Sequence, residues 1–218
     1  MYIAPGVTDE EYKQLKLEDN QSNNWDRAVE IFKIRIASRY LEPVDLLIKK
    51  DNDVRPIDRR YGFTILAIDC LLIETLQSFR EGLTDTNGKS KDMFVNFLTR
   101  RESFKDYFKK DDAERFYYDF RCGILHQAEI MGDSLLWSVG DVKGKNINGT
   151  PYINRTKIHE LIKKEVDLYC EELRNNSTHD IRKNFRTKMN SIARKKDNGV
   201  RLHNFTKCKT KIQENVNL

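Results

Sequence analysis

An arginine and a histidine lie five positions apart in the apolar segment 116–129, and these two residue types could act together on a phosphate. Arg121 keeps its proton, so its side chain must meet an anion, a carbonyl group or water. Histidine, here His126, is the residue type that can both accept and donate a proton near neutral pH. Such a pair could hold a phosphate and move a proton beside it, which is the chemistry needed to cleave RNA without a metal ion.

A second pair with the same spacing, Arg174 and His179, lies in a run of Asn, Ser and Thr. Those residue types favour caps and turns over the interior of a helix. The segment around Arg121 and His126 is instead rich in aromatic and aliphatic residues, which can fix side-chain geometry. The sequence therefore favours Arg121 and His126 as the catalytic pair.

The spacing sets a geometric condition on this pair. On a straight α-helix, residues five positions apart point about 140° away from each other. Arg121 and His126 therefore converge only across a dimeric cleft or through a local distortion of the helix. A structural interpretation stays open, in which His126 caps or hydrogen-bonds within a helical bundle and Arg121 pairs with Asp119, Asp69 or Glu74.

Four further residues are predicted to support the pair. Asp69 and Glu74 lie in the most apolar segment of the chain, where a carboxylate needs a partner. Cys122 follows the arginine directly. Gly123 costs a helix about 1 kcal/mol relative to alanine, so it indicates either close packing or room for a substrate. The neighbouring aromatic residues are predicted to be core residues rather than platforms for stacking bases: Tyr117, Tyr118 and Phe120.

Apolar periodicity predicts a mainly α fold, a helical bundle with a small inserted β-hairpin. The central helix is predicted over 59–80 and ends at Gly82. Other helices are predicted from Asn24 as the N-cap to Tyr40, over 44–48 after a stop or kink at Pro43, over 92–98 and over 104–108. The helix that carries the Arg–His pair is predicted to start at Asp111 or Asp112.

After Gly132 the pattern changes to strands at 134–139 and 150–154, which predicts a β-hairpin near 134–154. A long helix follows, with Thr156 as its predicted cap, and a basic helix is predicted over 178–196. Three regions result: a polar N-terminal segment over 1–22, a helical domain over 23–176 and a basic C-terminal helix or tail over 177–218.

Charge is divided unevenly along the chain. Residues 174–218 hold 12 Lys and Arg against 3 Asp and Glu, whereas residues 1–173 hold 27 against 31. A basic region of this kind attracts nucleic acid through phosphate contacts, although it can equally be a solvated terminal helix. The residues predicted to bind nucleic acid are Arg182, Lys183, Arg186, Lys188, Arg194, Lys195 and Lys196.

The four cysteines and four histidines show no paired metal-ligand spacing, so we expect no metal site and no cofactor. No secretory signal is visible at the N-terminus, and no apolar run approaches the roughly 20 residues that span a bilayer. We therefore expect a cytoplasmic location and no membrane partner.

The segment Phe-Arg-Cys-Gly-Ile-Leu-His-Gln-Ala-Glu129, together with the helix Gly62–Gln77, resembles HEPN domains, whose signature is an arginine and a histidine separated by four to six residues. The resemblance covers roughly residues 25–175. In that family the residue after the arginine is often Asn, Asp or His, and this chain has Cys122 there.

The resemblance implies a metal-independent endoribonuclease that works as a homodimer. Arg121 would bind the scissile phosphate, and His126 would act as acid or base while the 2′-OH of RNA attacks. It also implies a role in toxin–antitoxin or antiphage systems, with RNA as substrate and an antitoxin or regulatory protein as a further partner. The alternative is a noncatalytic HEPN-like module that binds RNA, a nucleotide or a partner protein.

Overall fold

Residues 1–18 pack against the helices and contribute to the core. The computed structural model describes residues 1–18, 23–175 and 180–194. It begins with two short antiparallel strands, β1 (Tyr2–Ala4) and β2 (Val7–Thr8), and a helix, α1 (Asp9–Gln14). Ile3, Val7 and Tyr12 are buried, so this segment is part of the core.

The next two helices run into each other through a widened turn. α2 (Asn24–Ile36) continues through a π-helical turn over Ala37–Leu41 into α3 (Glu42–Asn52). Asn24 is the first helical residue rather than the cap, and its side chain donates to the Leu15 carbonyl at 2.7 Å. Pro43 is the second residue of α3 and directly follows the widened π-helical turn, so the helix continues through the proline instead of stopping there.

The predicted central helix is confirmed as α4 (Gly62–Glu81), which ends at Gly82 with the left-handed conformation (φ 66°) that glycine adopts easily. α4 packs against α5 (Ser90–Arg100), α8 (Arg155–Asn175) and α9 (Ile181–Arg194). Aromatic rings fill the space between these helices and α2, with centroids 4.9–5.9 Å apart among Phe32, Phe79, Tyr169 and Phe185.

Within the described ranges, α4 is also the one helix that is long and apolar enough to cross a membrane by length and composition. The expectation that no apolar run approaches that length was therefore wrong for the length and composition of α4. The core helix of a bundle passes the same test, and more than half of this stretch of α4 is buried against its neighbours.

The basic helix predicted over 178–196 corresponds to α9, which packs against α1, α4 and α8. Phe185 and Met189 are fully buried, and Phe185 lies 5.9 Å from Trp25, centroid to centroid. Lys195 and Lys196 lie outside the described residues, as do His179 and the rest of the predicted tail.

The inserted β element is a small mixed sheet rather than one hairpin. It contains β3 (Leu135–Trp137), β4 (Lys143–Lys145) and β5 (Pro151–Asn154), in the order β3-β5-β4. β3 and β5 are parallel, and the hairpin is formed by β4 and β5. Asn154 rather than Thr156 caps α8, since its Oδ1 accepts the backbone N–H groups of Thr156 and Lys157 at 3.1 and 3.3 Å.

The helix that carries the Arg–His pair has three parts: α6 (Lys110–Phe116), a π-helical turn over Tyr117–Cys122 and α7 (Gly123–Gln127). The predicted caps Asp111 and Asp112 lie inside its first turn, and neither side chain caps it. Their negative charges still favour that end of the helix. The segment 104–108, predicted as a helix, consists of turns that bury Phe104 and Phe108.

Candidate active site

The π-helical turn brings Arg121 and His126 together within one chain. Arg121 Nη1 lies 3.2 Å from His126 Nε2. Hydrogen bonding from residue i to i+5 widens the turn, so that positions five apart move towards the same face. The local distortion that the spacing required is therefore present.

Glu74 on α4 fixes the other edge of the arginine side chain. Arg121 Nε donates to Glu74 Oε1 at 2.6 Å, and Nη2 donates to Oε2 at 3.3 Å. Both side chains are mostly buried, with 14% and 11% of their surface exposed. A bidentate ion pair of this kind holds the guanidinium plane in one orientation and leaves Nη1 directed at the histidine.

A hydroxyl pair extends this network. Ser90, the first residue of α5, donates to Glu74 Oε2 at 2.8 Å, and the Tyr117 hydroxyl lies 3.2 Å from Ser90 Oγ. Burial by itself would lower the pKa of Arg121, but the hydrogen bonds and the charge of Glu74 outweigh it and raise the pKa. The guanidinium therefore stays charged beside the histidine.

His126 is exposed on the surface, close to the end of α7. The contact with Arg121 is a hydrogen bond only when Nε2 carries no proton, because an arginine N–H can donate but not accept. That condition places the proton of a neutral ring on Nδ1. In this state Arg121 donates to Nε2, and the N–H group at Nδ1 can donate a hydrogen bond to a bound group.

Gly123 lets the chain fold back beside the pair. Ala128 ends α7 in the left-handed conformation (φ 54°), and the backbone N–H of Met131 then donates to the Asp119 carbonyl at 2.8 Å. A Cβ at position 123 would lie 2.5 Å from the Glu129 carbonyl oxygen, closer than real Cβ atoms approach. Gly123 therefore serves close packing, which is one of the two roles predicted for it.

Two of the carboxylates that could have paired with Arg121 have other partners. Asp119 Oδ2 accepts the Ser134 hydroxyl at 2.6 Å. Asp69 is fully buried, and its Oδ1 lies 2.8 Å from His159 Nδ1. Burial raises the pKa of Asp69 to about 6, although the hydrogen bond from His159 opposes the rise. Asp69 therefore belongs to a separate buried pair, and of the predicted carboxylates only Glu74 supports the arginine.

The aromatic residues around the pair divide into two kinds. Tyr117 and Phe120 are buried, as predicted. Tyr118 is half exposed, which contradicts its assignment to the core, and the ammonium of Lys91 lies 4.9 Å from its ring centroid. Cys122 is a free, half-buried thiol that packs against the core.

Of the residues predicted to bind nucleic acid, the five that the structure describes differ in exposure and contacts. Arg182 is buried, donates to the Leu173 and Arg174 carbonyls at 2.7 Å each, and covers the Trp25 ring at 4.6 Å. Arg186 donates to the Leu17 carbonyl at 2.9 Å. The exposed members within the described ranges are Lys183 and Arg194, with Lys188 half exposed. Arg182 is therefore a structural residue of the bundle.

Over the described residues, His, Cys, Asp and Glu form no group of three or more that could hold a metal ion. Comparison with protein-family models, with curated proteins and with solved structures gives no match.

Proposed function

We propose that this protein is a metal-independent endoribonuclease of the HEPN type, in which Arg121 and His126 act on one RNA phosphate. The observation that carries the proposal is the 3.2 Å contact between Arg121 Nη1 and the exposed His126, formed at a π-helical turn. Turns of this kind are frequent at functional sites.

In the proposed reaction the 2′-OH of RNA attacks the adjacent phosphorus while the bond to the 5′-oxygen breaks. The proton of the 2′-OH passes to a base, and the leaving oxygen receives a proton from an acid. Neutral His126 would accept the first proton at Nε2 once Arg121 turns from the ring to the phosphate, and the protonated ring would donate the second; such transfer contributes about 10²–10⁴-fold. Arg121, oriented by Glu74, stabilises the negative charge that develops on the phosphate oxygens.

One Arg–His pair supplies one proton-transfer group, and a second copy of the chain would supply another. α4 leaves Phe63 and Leu71 exposed, and Leu71 lies one turn before Glu74 on the same helix. Met131, which is also exposed, lies against Gly123. We propose that this apolar surface forms a two-fold interface that places two pairs around a shared cleft. Sedimentation of wild type and Leu71→Glu would test it, since an unchanged dimer in the variant, or a monomeric wild type, excludes this interface.

The activity test is cleavage of single-stranded RNA in excess EDTA by wild type, Arg121→Ala and His126→Ala. Because His126 is exposed, its replacement should change the free energy of unfolding by less than about 0.5 kcal/mol. The exposed neighbour variant Gln127→Ala serves as the matched control. We expect products that end in a 2′,3′-cyclic phosphate from wild type and Gln127→Ala only. Activity that disappears in EDTA, or that persists in both site variants, would exclude the mechanism.

The proposed setting is a cytoplasmic toxin–antitoxin or antiphage system, with an antitoxin or regulatory protein as partner. Induced expression of wild type should then slow growth, whereas expression of His126→Ala at the same level should not. Equal growth of the two strains would remove this setting from the proposal.

A second candidate is a noncatalytic helical module that binds RNA, a nucleotide or a partner protein. The ion pair with Glu74 favours it, because a carboxylate already neutralises the arginine that a phosphate would use. This candidate predicts RNA binding that depends on salt and on the basic C-terminal residues, without turnover. The informative deletion is 195–218, because a deletion that began at 178 would remove the buried residues of α9.

A further inference from the structure

A second concave site lies on the other side of the helix that carries Arg121. It is a cleft of about 240 Å³ between α6, the following π-helical turn and the β4–β5 hairpin. This volume is just below the ~300–1,000 Å³ typical of small-molecule sites. The cleft therefore suits a ligand with a single ring system rather than a long or bulky one.

The walls of the cleft are aromatic. Phe108 and Phe116 stack on the helix side with centroids 5.7 Å apart, and Tyr152 lies on the sheet side. Tyr152 in turn stacks on Trp137, with centroids 4.6 Å apart and ring planes inclined by 18°. Aromatic walls of this kind favour a flat ring as the ligand.

A glycine makes room for this arrangement. Gly144 and Tyr152 face each other across the β4–β5 pair. A Cβ at position 144 would lie 2.7 Å from the Tyr152 hydroxyl oxygen and 2.9 Å from Cζ, so any larger residue would displace the tyrosine. The position of Tyr152 in the wall of the cleft therefore depends on the absence of a side chain at residue 144.

Positive charge surrounds the opening. Lys143 forms an ion pair with Asp112 at 2.8 Å, so its ammonium is held at the edge of the cleft. Arg115 and Lys145 also line the cleft and are exposed, and within the part of the chain that the structure describes neither side chain forms a hydrogen bond or an ion pair. The three cationic side chains outnumber the one carboxylate, that of Asp112, so the rim of the cleft carries a net positive charge that would attract an anion.

We propose that this cleft binds a small aromatic oxyanion, which is one flat ring system carrying a carboxylate or a phosphate. The ring lies between the aromatic walls, and the oxyanion meets Arg115 and Lys145. The site is separate from the Arg121–His126 pair: Phe116 and Phe120 face the cleft, whereas Arg121 contacts Glu74 on α4. The binding therefore does not depend on the proposed ribonuclease activity.

The test is calorimetric titration of the full chain with indole-3-acetate, with phenyl phosphate and with inorganic phosphate. Indole-3-acetamide and phenol serve as uncharged counterparts of the two aromatic anions. We expect saturable binding of at least one aromatic anion, binding at least about tenfold weaker for its uncharged counterpart, and no binding of phosphate alone. Comparison of the two aromatic anions shows whether the oxyanion that the cleft binds is a carboxylate or a phosphate.

Two double variants locate the anion. Arg115→Ala with Lys145→Ala should weaken binding by about tenfold or more, because each cation supplies a charge-assisted hydrogen bond. Lys49→Ala with Lys50→Ala on α3 removes the same charge elsewhere and should leave the affinity unchanged. Absence of binding by both aromatic anions, or equal weakening by the two double variants, would overturn the proposal. His126→Ala should bind as wild type does, which separates this result from any failure of the ribonuclease proposal.

Discussion

Replacement of Gly123 by alanine should destabilise the protein, although alanine is the better helix former. In an open helix the exchange would gain about 1 kcal/mol. Here the added methyl group would lie 2.5 Å from the Glu129 carbonyl oxygen, 2.9 Å from Met131 Cγ and 3.1 Å from Met131 N. Two of these three atoms belong to the backbone, so the returning chain itself must move.

The expected cost follows from what that movement breaks. Overpacking of this kind typically costs about 1–3 kcal/mol. Loss of the 2.8 Å hydrogen bond from Met131 N to the Asp119 carbonyl adds about 1 kcal/mol. After the helix-propensity gain is subtracted, the free energy of unfolding should fall by roughly 1–3 kcal/mol. For a chain of this size, each kcal/mol lowers the Tm by about 2–4 °C.

The assay is urea unfolding of wild type and Gly123→Ala, with Gly62→Ala as the control. A Cβ at position 62 would meet side-chain atoms alone, Leu136 Cδ2 at 3.2 Å and Arg155 Nη1 at 3.3 Å, so a displacement of a few tenths of an ångström is enough and no backbone has to move. The control should therefore stay within about 0.5 kcal/mol of wild type. If Gly123→Ala were as stable as wild type or more stable, the reasoning about the returning chain would be wrong.

Three more predictions concern charged residues. Asp69→Asn should stabilise the protein more at pH 7 than at pH 4. Burial raises the pKa of Asp69 to about 6 in the folded state, so wild type loses stability as the pH rises from about 4, where the unfolded carboxyl ionises, to about 6. The loss amounts to roughly 1–3 kcal/mol in the free energy of unfolding, and the uncharged side chain of the variant avoids it. A difference between variant and wild type that is constant over this range would contradict the burial effect. Arg182→Ala should lower the free energy of unfolding by about 1–3 kcal/mol, because the hydrogen bonds to two carbonyl groups are lost. The control Lys183→Ala should change it by less than about 0.5 kcal/mol. Equal effects of the two variants in urea unfolding would refute the structural role of Arg182. Glu74→Ala should reduce RNA cleavage more than it reduces substrate affinity, because Arg121 loses its orientation, and unchanged cleavage kinetics would exclude that positioning role.

The sequence predicts the helices well where one face is apolar and the chain ends on a distinctive residue. α4 and its end at Gly82 follow from a long apolar stripe and a glycine that can adopt positive φ. The sheet was harder to predict, because local alternation identifies β3 and β5 but not which strand pairs with which. β4, which pairs with the other edge of β5, lies in a run of Gly, Asn and Lys with no strand pattern.

Within the candidate site, residue types and spacing identified Arg121, His126 and the carboxylate of Glu74. Ser90 was missed because it lies 16 positions from its partner Glu74, and no periodic pattern links the two. The role of His159 was missed for a similar reason, since its contact with Asp69 joins α8 to α4 across 90 positions. The widened turn at 117–122 left no recognisable mark in the sequence, and it decides whether the pair converges.

The claim that Arg121 and His126 work as one unit is tested most directly by a double-mutant cycle. Single-turnover cleavage of an RNA oligonucleotide in EDTA would be measured for wild type, Arg121→Ala, His126→Ala and the double variant. Groups that act on the same phosphate show strongly non-additive losses. The contact at 3.2 Å predicts that the double variant is no slower than the slower single variant. Independent, multiplicative losses, or a His126→Ala rate equal to wild type, would contradict a shared site.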